Sequence, residues 1–230
     1  MEKWNGKKKA ITFSYDDGLL QDIRTIEILN KYGLKATFNV NAGFLGTPND
    51  LIRNGKFVYH NKIRVDQLKT TYEGHEVAVH GFTHPDLREL SDTEVVEQVE
   101  TDRKILEILT GEEIVGMAYP FGQYDDRVVR LIGQHTPIQY ARTINPTYNF
   151  DLQSDLLTFN PTIHQIDEKL FEIAEKFIHL QTEKPQLFYI WGHTFEMDAE
   201  NISWERFEEF CKLISGKDDI FYGTNRETLL

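Results

Sequence analysis

Short apolar or β-branched runs recur along the chain at residues 10–13, 36–40, 77–79, 114–118, 138–143, 156–159, 187–191 and 220–222. Each has the length of a strand, and between most of them apolar residues return every three or four positions, the spacing of one helix face. Ile23, Ile26, Ile28 and Leu29 make one such face, which Gly33 closes. Ser91-Asp92-Thr93-Glu94 has the form of a capping box and opens a second, with Val95, Val99, Ile105 and Leu109 ahead of Gly111. Leu170, Ile173, Phe177 and Leu180 line a third, and Trp204, Phe207, Phe210, Leu213 and Ile214 a last one. Strand and helix patterns that alternate from end to end predict parallel βαβ units, closed into a barrel or left as an open doubly wound sheet. Neither a linker nor a repeat interrupts them, so one domain over 1–230 is expected. The least regular stretch, 43–63, is rich in Gly, Pro and Asn and reads as a long loop, either shaping a substrate site or running over the surface.

Residues with chemical potential sit just past the predicted strand ends. Asp16-Asp17-Gly18 follows the first strand, His80 and His84 follow 77–79, Pro120-Phe121-Gly122 follows 114–118, and His193 follows 187–191. In parallel α/β architectures that edge is where active sites are built. Two adjacent carboxylates repel, so burying them requires a cation or a raised pKa. In a strand they would face opposite ways, but a turn at its end can bring both to one cleft. There one can bind a metal and the other act as a base. Alone, the run is more commonly an Asp-Asp-Gly surface turn. His80 and His84, four apart with Gly81 between and Pro85 after, suit a strand end entering a tight loop, and two histidines with a carboxylate describe a catalytic zinc or related site.

Composition narrows the partners. Of 230 residues, 40% are hydrophobic and 27% charged, as in ordinary globular proteins. The formal net charge of −12 argues against nucleic acid and anionic membrane as partners. Lys7-Lys8-Lys9 reads as a solvated lead-in to the first strand. Cys211 is the sole cysteine, which excludes an intrachain disulfide, and its apolar helical surroundings make it a core residue. No run approaches a membrane span and no signal-peptide core follows the start, so a cytoplasmic location is expected, or secretion if a leader has been removed.

The motifs, taken in order from about Ala10 to Tyr222, resemble the polysaccharide deacetylases with a NodB-homology domain, carbohydrate esterase family four. Thr12-Phe13-Ser14-Tyr15-Asp16-Asp17-Gly18 is similar to the first family motif and His80-Gly81-Phe82-Thr83-His84 to the second. Tyr119-Pro120-Phe121-Gly122 resembles the third and Trp191-Gly192-His193 the last, while Ala36-Thr37-Phe38 and Gly74-His75-Glu76 match framework strands. The resemblance implies a distorted, TIM-like (β/α)7 barrel and one divalent metal held by Asp17, His80 and His84. It implies Asp16 as general base, His193 as general acid, the backbone N–H of Phe121 as an oxyanion donor, and removal of an N- or O-acetyl group from an amino sugar or glycan. Zinc is the metal expected first; iron, cobalt, nickel and manganese suit the same ligands. The alternatives are a hydrolase of cyclic, non-sugar amides on the same scaffold and a non-catalytic carbohydrate-binding protein.

One position departs from the family pattern. Many members carry an arginine two residues before the proline of the third motif, where it orients the base; here Ala118 stands there. Arg142, at the end of another predicted strand, is the expected replacement. His164 is expected at the cleft as a substrate contact or an orienting partner. Glu196 and Asp198 are candidates to touch sugar hydroxyls or a histidine. Trp191, Tyr119 and Phe121 are candidates for an apolar wall, with core packing as their alternative. His75 and Glu76 are expected to cap or pack.

Overall fold

The computed structural model describes residues 3–200 and 202–230. Among the described residues, ten strands run in chain order: β1 Lys9–Asp16, β2 Ala36–Val40, β3 Asp50–Arg53, β4 Lys56–Tyr59, β5 Glu76–Val79, β6 Gly116–Ala118, β7 Tyr140–Arg142, β8 Ile163–His164, β9 Gln186–His193 and β10 Ile220–Tyr222. The helices are α1 Asp22–Lys31, α2 Leu68–Thr71, α3 Asp92–Thr110, α4 Asp126–His135, α5 Leu170–Ile178, α6 Glu196–Ala199, α7 Trp204–Ile214 and α8 Asn225–Leu229. Strands pair in parallel in the order β7-β6-β5-β2-β1-β9-β8, with β10 beside the start of β1. One parallel bridge, Arg142 to Phe159, laces β7 to the segment leading into β8, so the sheet curls into a distorted barrel. The expected α/β barrel is therefore observed.

Every residue of β1 is buried, so the strand has no solvent face, yet its two faces differ. Ile11, Phe13 and Tyr15 point outward to the helices, where Phe13 meets the rings of Phe207 and Phe210 on α7 edge-on. Thr12, Ser14 and Asp16 point into the lumen, where Thr12 donates to Asn225 Oδ1 and Ser14 accepts from Asn39 Nδ2. On β9 the same parity sends Tyr189, Trp191 and His193 inward. The lumen is thus polar along its axis, with an acid at each end: Asp16 at the mouth, and at the base Glu76, which accepts from Thr37, Tyr140 and the Arg226 backbone.

The helix signals hold locally. Ser91 and Glu94 close the capping box of α3, and Gly111 ends that helix in the left-handed region at φ 79°. Cys211 is buried in the core as expected. Three expectations need correction. The 156–159 run is a 3-10 turn, not a strand, and only Phe159 bridges the sheet. The 43–63 loop contains the β3–β4 hairpin, turned at Asn54-Gly55 with positive φ at both residues. Lys9 is not a solvated lead-in: it is buried, and its Nζ donates to the last carbonyls of α5 at Phe177 and Ile178. Among the described residues no helix is long and apolar enough to cross a membrane.

Candidate active site

Asp16 faces the lumen by strand parity, and the chain then breaks that parity. Asp17 takes φ 83°, a left-handed conformation that swings its carboxylate to the same mouth. His84 (φ 53°) and Phe121 (φ 57°) are also left-handed, so three of the strained non-glycine residues lie around one cleft, where strain typically marks function.

The two carboxylates have different neighbours. Asp16 is held by Arg142, whose Nη2 lies 2.6 Å from Oδ1 and 2.5 Å from Oδ2, and Asn39 Nδ2 donates to Oδ1 at 2.8 Å. Burial pushes this carboxyl up, but Arg142, His80 and His193 pull harder and leave it below the ordinary carboxylate value. Arg142 is fully buried, caps its Nη1 on Thr143 O and lies over the Trp191 ring at 4.6 Å. It is the Cα register partner of Ala118 on the neighbouring strand. The guanidinium missing from position 118 is supplied one strand over, at the same level of the lumen.

Asp17 instead faces histidines. Its Oδ1 lies 4.0 Å from both His80 Nε2 and His84 Nε2, and one ligand atom from each of the three residues lies within 4.8 Å of the others. His80 Nδ1 lies 2.9 Å from Ala118 O, an acceptor only, so Nδ1 carries the proton and the lone pair of Nε2 faces Asp17. Burial lowers the pKa of His80 and takes that of His84 to about 4, so both rings are neutral donors at pH 7. Asp102 fixes the backbone beneath them, accepting from the N–H of His80 and of Ala42. One carboxylate and two neutral imidazoles converging on one point fit a divalent ion of the zinc class.

His193, at the end of β9, has Nε2 4.0 Å from Asp17 Oδ2 and Nδ1 3.2 Å from Glu196 Oε1. Burial disfavours its charge, but the Glu196 hydrogen bond and charge, with Asp17 and Asp16, prevail and raise its pKa to about 9. Glu196 gathers four groups: His193 Nδ1, the His193 backbone N–H at 3.1 Å, Gln165 Nε2 at 2.6 Å and His164 Nε2 at 2.9 Å. Ligand atoms of His164, His193 and Glu196 lie within 4.8 Å of one another, a second spacing compatible with a metal ion. Gly192 makes the arrangement sterically feasible, since a Cβ there would come within 2.6 Å of the Gln165 side chain.

His164 lies beside the site through Glu196 and stacks on Trp191 with ring centres 4.2 Å apart, and the Arg142 guanidinium packs against the same ring. Phe121 is largely exposed and packs edge-on over His84 at 4.3 Å, a wall at the mouth. Tyr119 does not join it. Parity on β6 turns Ala118 inward and Tyr119 outward, where its ring stacks on Tyr124 and its hydroxyl donates to Leu157 O. Asp198 touches no histidine: it accepts from Gln21 Nε2 and Trp204 Nε1. His75 and Glu76 hold the Ala36 N–H and the base of the lumen, as expected of capping residues.

Two residues of the hairpin loop enter the site without a sequence signal. His60 Nε2 lies 3.0 Å from Asp17 Oδ2, and Lys62 Nζ lies 3.6 Å from Oδ1. Both are buried. With them Asp17 lies well below the ordinary carboxylate value: burial opposes ionisation, and the His60 hydrogen bond and the Lys62 charge outweigh it. Asp17, His84, His60, Lys62, Asn41 and Asn49 share the lining of a cleft of about 450 Å³, within the size range of small-molecule pockets.

Comparison with known proteins adds a family. The family model described as polysaccharide deacetylase matches residues 3–140. Chitin deacetylase 1 of Cryptococcus neoformans is 28% identical over 157 residues, covering 63% of this chain and 28% of that protein. The chain spans well under half the length of the curated relatives it matches. Among solved structures, a family 4 carbohydrate esterase from Streptomyces lividans, in complex with acetate, superposes with a TM-score of 0.60 at 13% identity, over 95% of this chain and 93% of that one. A family 4 pseudoenzyme from Bacillus anthracis superposes equally well, with a TM-score of 0.60 at 17% identity over 97% of this chain and 66% of that one.

Proposed function

The chain belongs to the polysaccharide deacetylase family, and on that premise we propose that it removes acetyl groups from an amino sugar, free or within a glycan. The fold is shared with an esterase and with a pseudoenzyme, so the catalytic reading rests on the side chains. The observation that carries it is the division of the carboxylate pair, Asp16 against Arg142 and Asp17 against His80 and His84.

In this reading Asp17, His80 and His84 hold a divalent ion, zinc first among the candidates, which would polarise the acetyl carbonyl and acidify a water beside it. Asp16, kept ionised and oriented by Arg142, takes the proton of the attacking water. The backbone N–H of Phe121, set by its left-handed turn, donates to the developing oxyanion. Water oxygen bonds to the acetyl carbon, and the carbon–nitrogen bond breaks. His193, protonated below pH 9 and steadied by Glu196, gives its proton to the departing amine. Acetate and a free amino sugar result.

The test is metal reconstitution of the purified protein followed by acetate release from N-acetylated, O-acetylated and cyclic-amide substrates. Release from the N-acetylated sugars, abolished in Asp16→Asn, is the expected outcome. No bound metal, or equal release by wild type and Asp16→Asn, would overturn the mechanism; turnover of the cyclic amides alone would replace the substrate class.

A further inference from the structure

Asp17 is mounted on a turn, not a strand, so the regular sheet does not fix its carboxylate. Of its two oxygens, Oδ1 faces His80 and His84, while Oδ2 meets His60 Nε2 at 3.0 Å. The tautomer of His60 is set from behind. Asn49 Nδ2, an amide donor, lies 3.2 Å from His60 Nδ1, which leaves the proton on Nε2, aimed at Asp17. The ring is buried and packs edge-on against Phe195 at 5.3 Å. The loop backbone is stitched to the turn that carries Asp17, where Leu20 N–H donates to Asn61 O and Ile63 N–H to Gly18 O; within the loop, His60 N–H donates to Asn49 O.

We propose that His60, oriented by Asn49, is a positioning residue that pins Asp17 Oδ2 and so presents Oδ1 to the metal. The 43–63 loop is then part of the metal centre as well as a wall of the cleft. A metal-ligating carboxylate depends on such outer hydrogen bonds for its orientation, and removing one typically weakens metal binding about 10–100-fold. This inference rests on the reading that Asp17, His80 and His84 are the ligands.

The experiment is equilibrium zinc binding by the full chain, stripped with chelator and titrated against a chromophoric competitor, with thermal unfolding of the metal-free proteins as a check on folding. His60→Ala should weaken zinc binding about 10–100-fold. His60→Gln, which keeps an N–H donor at similar reach, should recover a good part of that loss. Asn49→Ala should weaken binding less, and the double alanine variant should be no worse than His60→Ala, since both act through one hydrogen bond. Zinc affinity in His60→Ala within twofold of wild type would overturn the proposal. Glutamine and alanine variants that are equally weak would do so too, because lost packing would then account for the effect. Wild-type protein that binds no zinc would instead bring down the ligand assignment on which the proposal stands.

Discussion

Replacing Arg142 with alanine removes the guanidinium that holds Asp16 and leaves that carboxyl in the lumen with Asn39 as a neutral donor. Two other acids show what such a site does. Asp22 is fully buried with Tyr72, Thr194 and the Leu19 N–H as donors, and burial raises its pKa to about 7. Asp102, with two backbone N–H donors, is pushed to about 8. For Asp22 that rise from 3.8 corresponds to about 4 kcal/mol against ionisation, the same size as the roughly 3–5 kcal/mol typical of breaking a buried ion pair. Arg142→Ala should therefore lose stability of that order at neutral pH, and the sign of its pH dependence should change. In the wild type Asp16 has a depressed pKa: its contribution is complete above about pH 4 and is lost only on strong acidification. In the variant the raised pKa makes the folded state bind the extra proton, so this group favours folding increasingly as pH falls from 8 toward 4. Chemical unfolding at several pH values should show the gap between the two proteins widening from pH 5 to pH 8. Acetate release should fall by about a hundredfold or more, the usual scale for a lost general base. Adding Ala118→Arg, which places a guanidinium on the register partner, should restore part of both. A constant stability gap across that range, or turnover within twofold of wild type, would refute the reasoning.

Other outcomes follow from the same contacts. Glu196→Gln removes the charge that raises the His193 pKa, so the alkaline limb of the rate profile, expected near pH 9 in the wild type, should move toward neutrality. Because the His193 pKa is raised, its contribution to stability is complete below about pH 6.5 and is lost as pH climbs toward 9; unfolding of His193→Ala should show a matching loss of that slope. Lys62→Met takes a like charge from beside the cation site, 3.6 Å from Asp17 Oδ1, and should tighten zinc binding about tenfold, read by chelator competition. Asp17→Asn should reduce bound metal well below one equivalent by elemental analysis while the fold persists by circular dichroism. Ser91→Ala breaks the α3 capping box and should lower stability by about 1 kcal/mol without changing turnover.

What the sequence shows and hides has physical reasons. Asp16, Asp17, His80, His84 and His193 follow apolar strands in order, so the sheet brings them to one mouth. Arg142 was readable because it too ends a strand. Of the two roles open to Tyr119, core packing is the one strand parity selects: Ala118 beside it faces the lumen next to its register partner Arg142, so Tyr119 faces the helices. His60 and Lys62 gave no sign because the contact to Asp17 depends on how a hairpin folds back, which the surrounding residues do not encode in any period. Yet the hairpin itself left a trace in Asn54-Gly55, the pair preferred in a two-residue turn with positive φ at both positions. Glu196 is open among several roles in the sequence, because only the structure shows three hydrogen bonds and the His164 ring converging on it.

The pairing of Ala118 with Arg142 also bears on how such a barrel can change over time. The cation that holds Asp16 has a fixed address in space, one storey of the lumen, where positions 118 and 142 stand side by side on neighbouring strands. A chain that gained an arginine at one of these positions before losing one at the other would keep a guanidinium on that storey throughout. A motif that looks broken when written as letters can thus be intact as a ring of side chains, and inactivity should be inferred from an empty storey of the barrel, not from a missing letter.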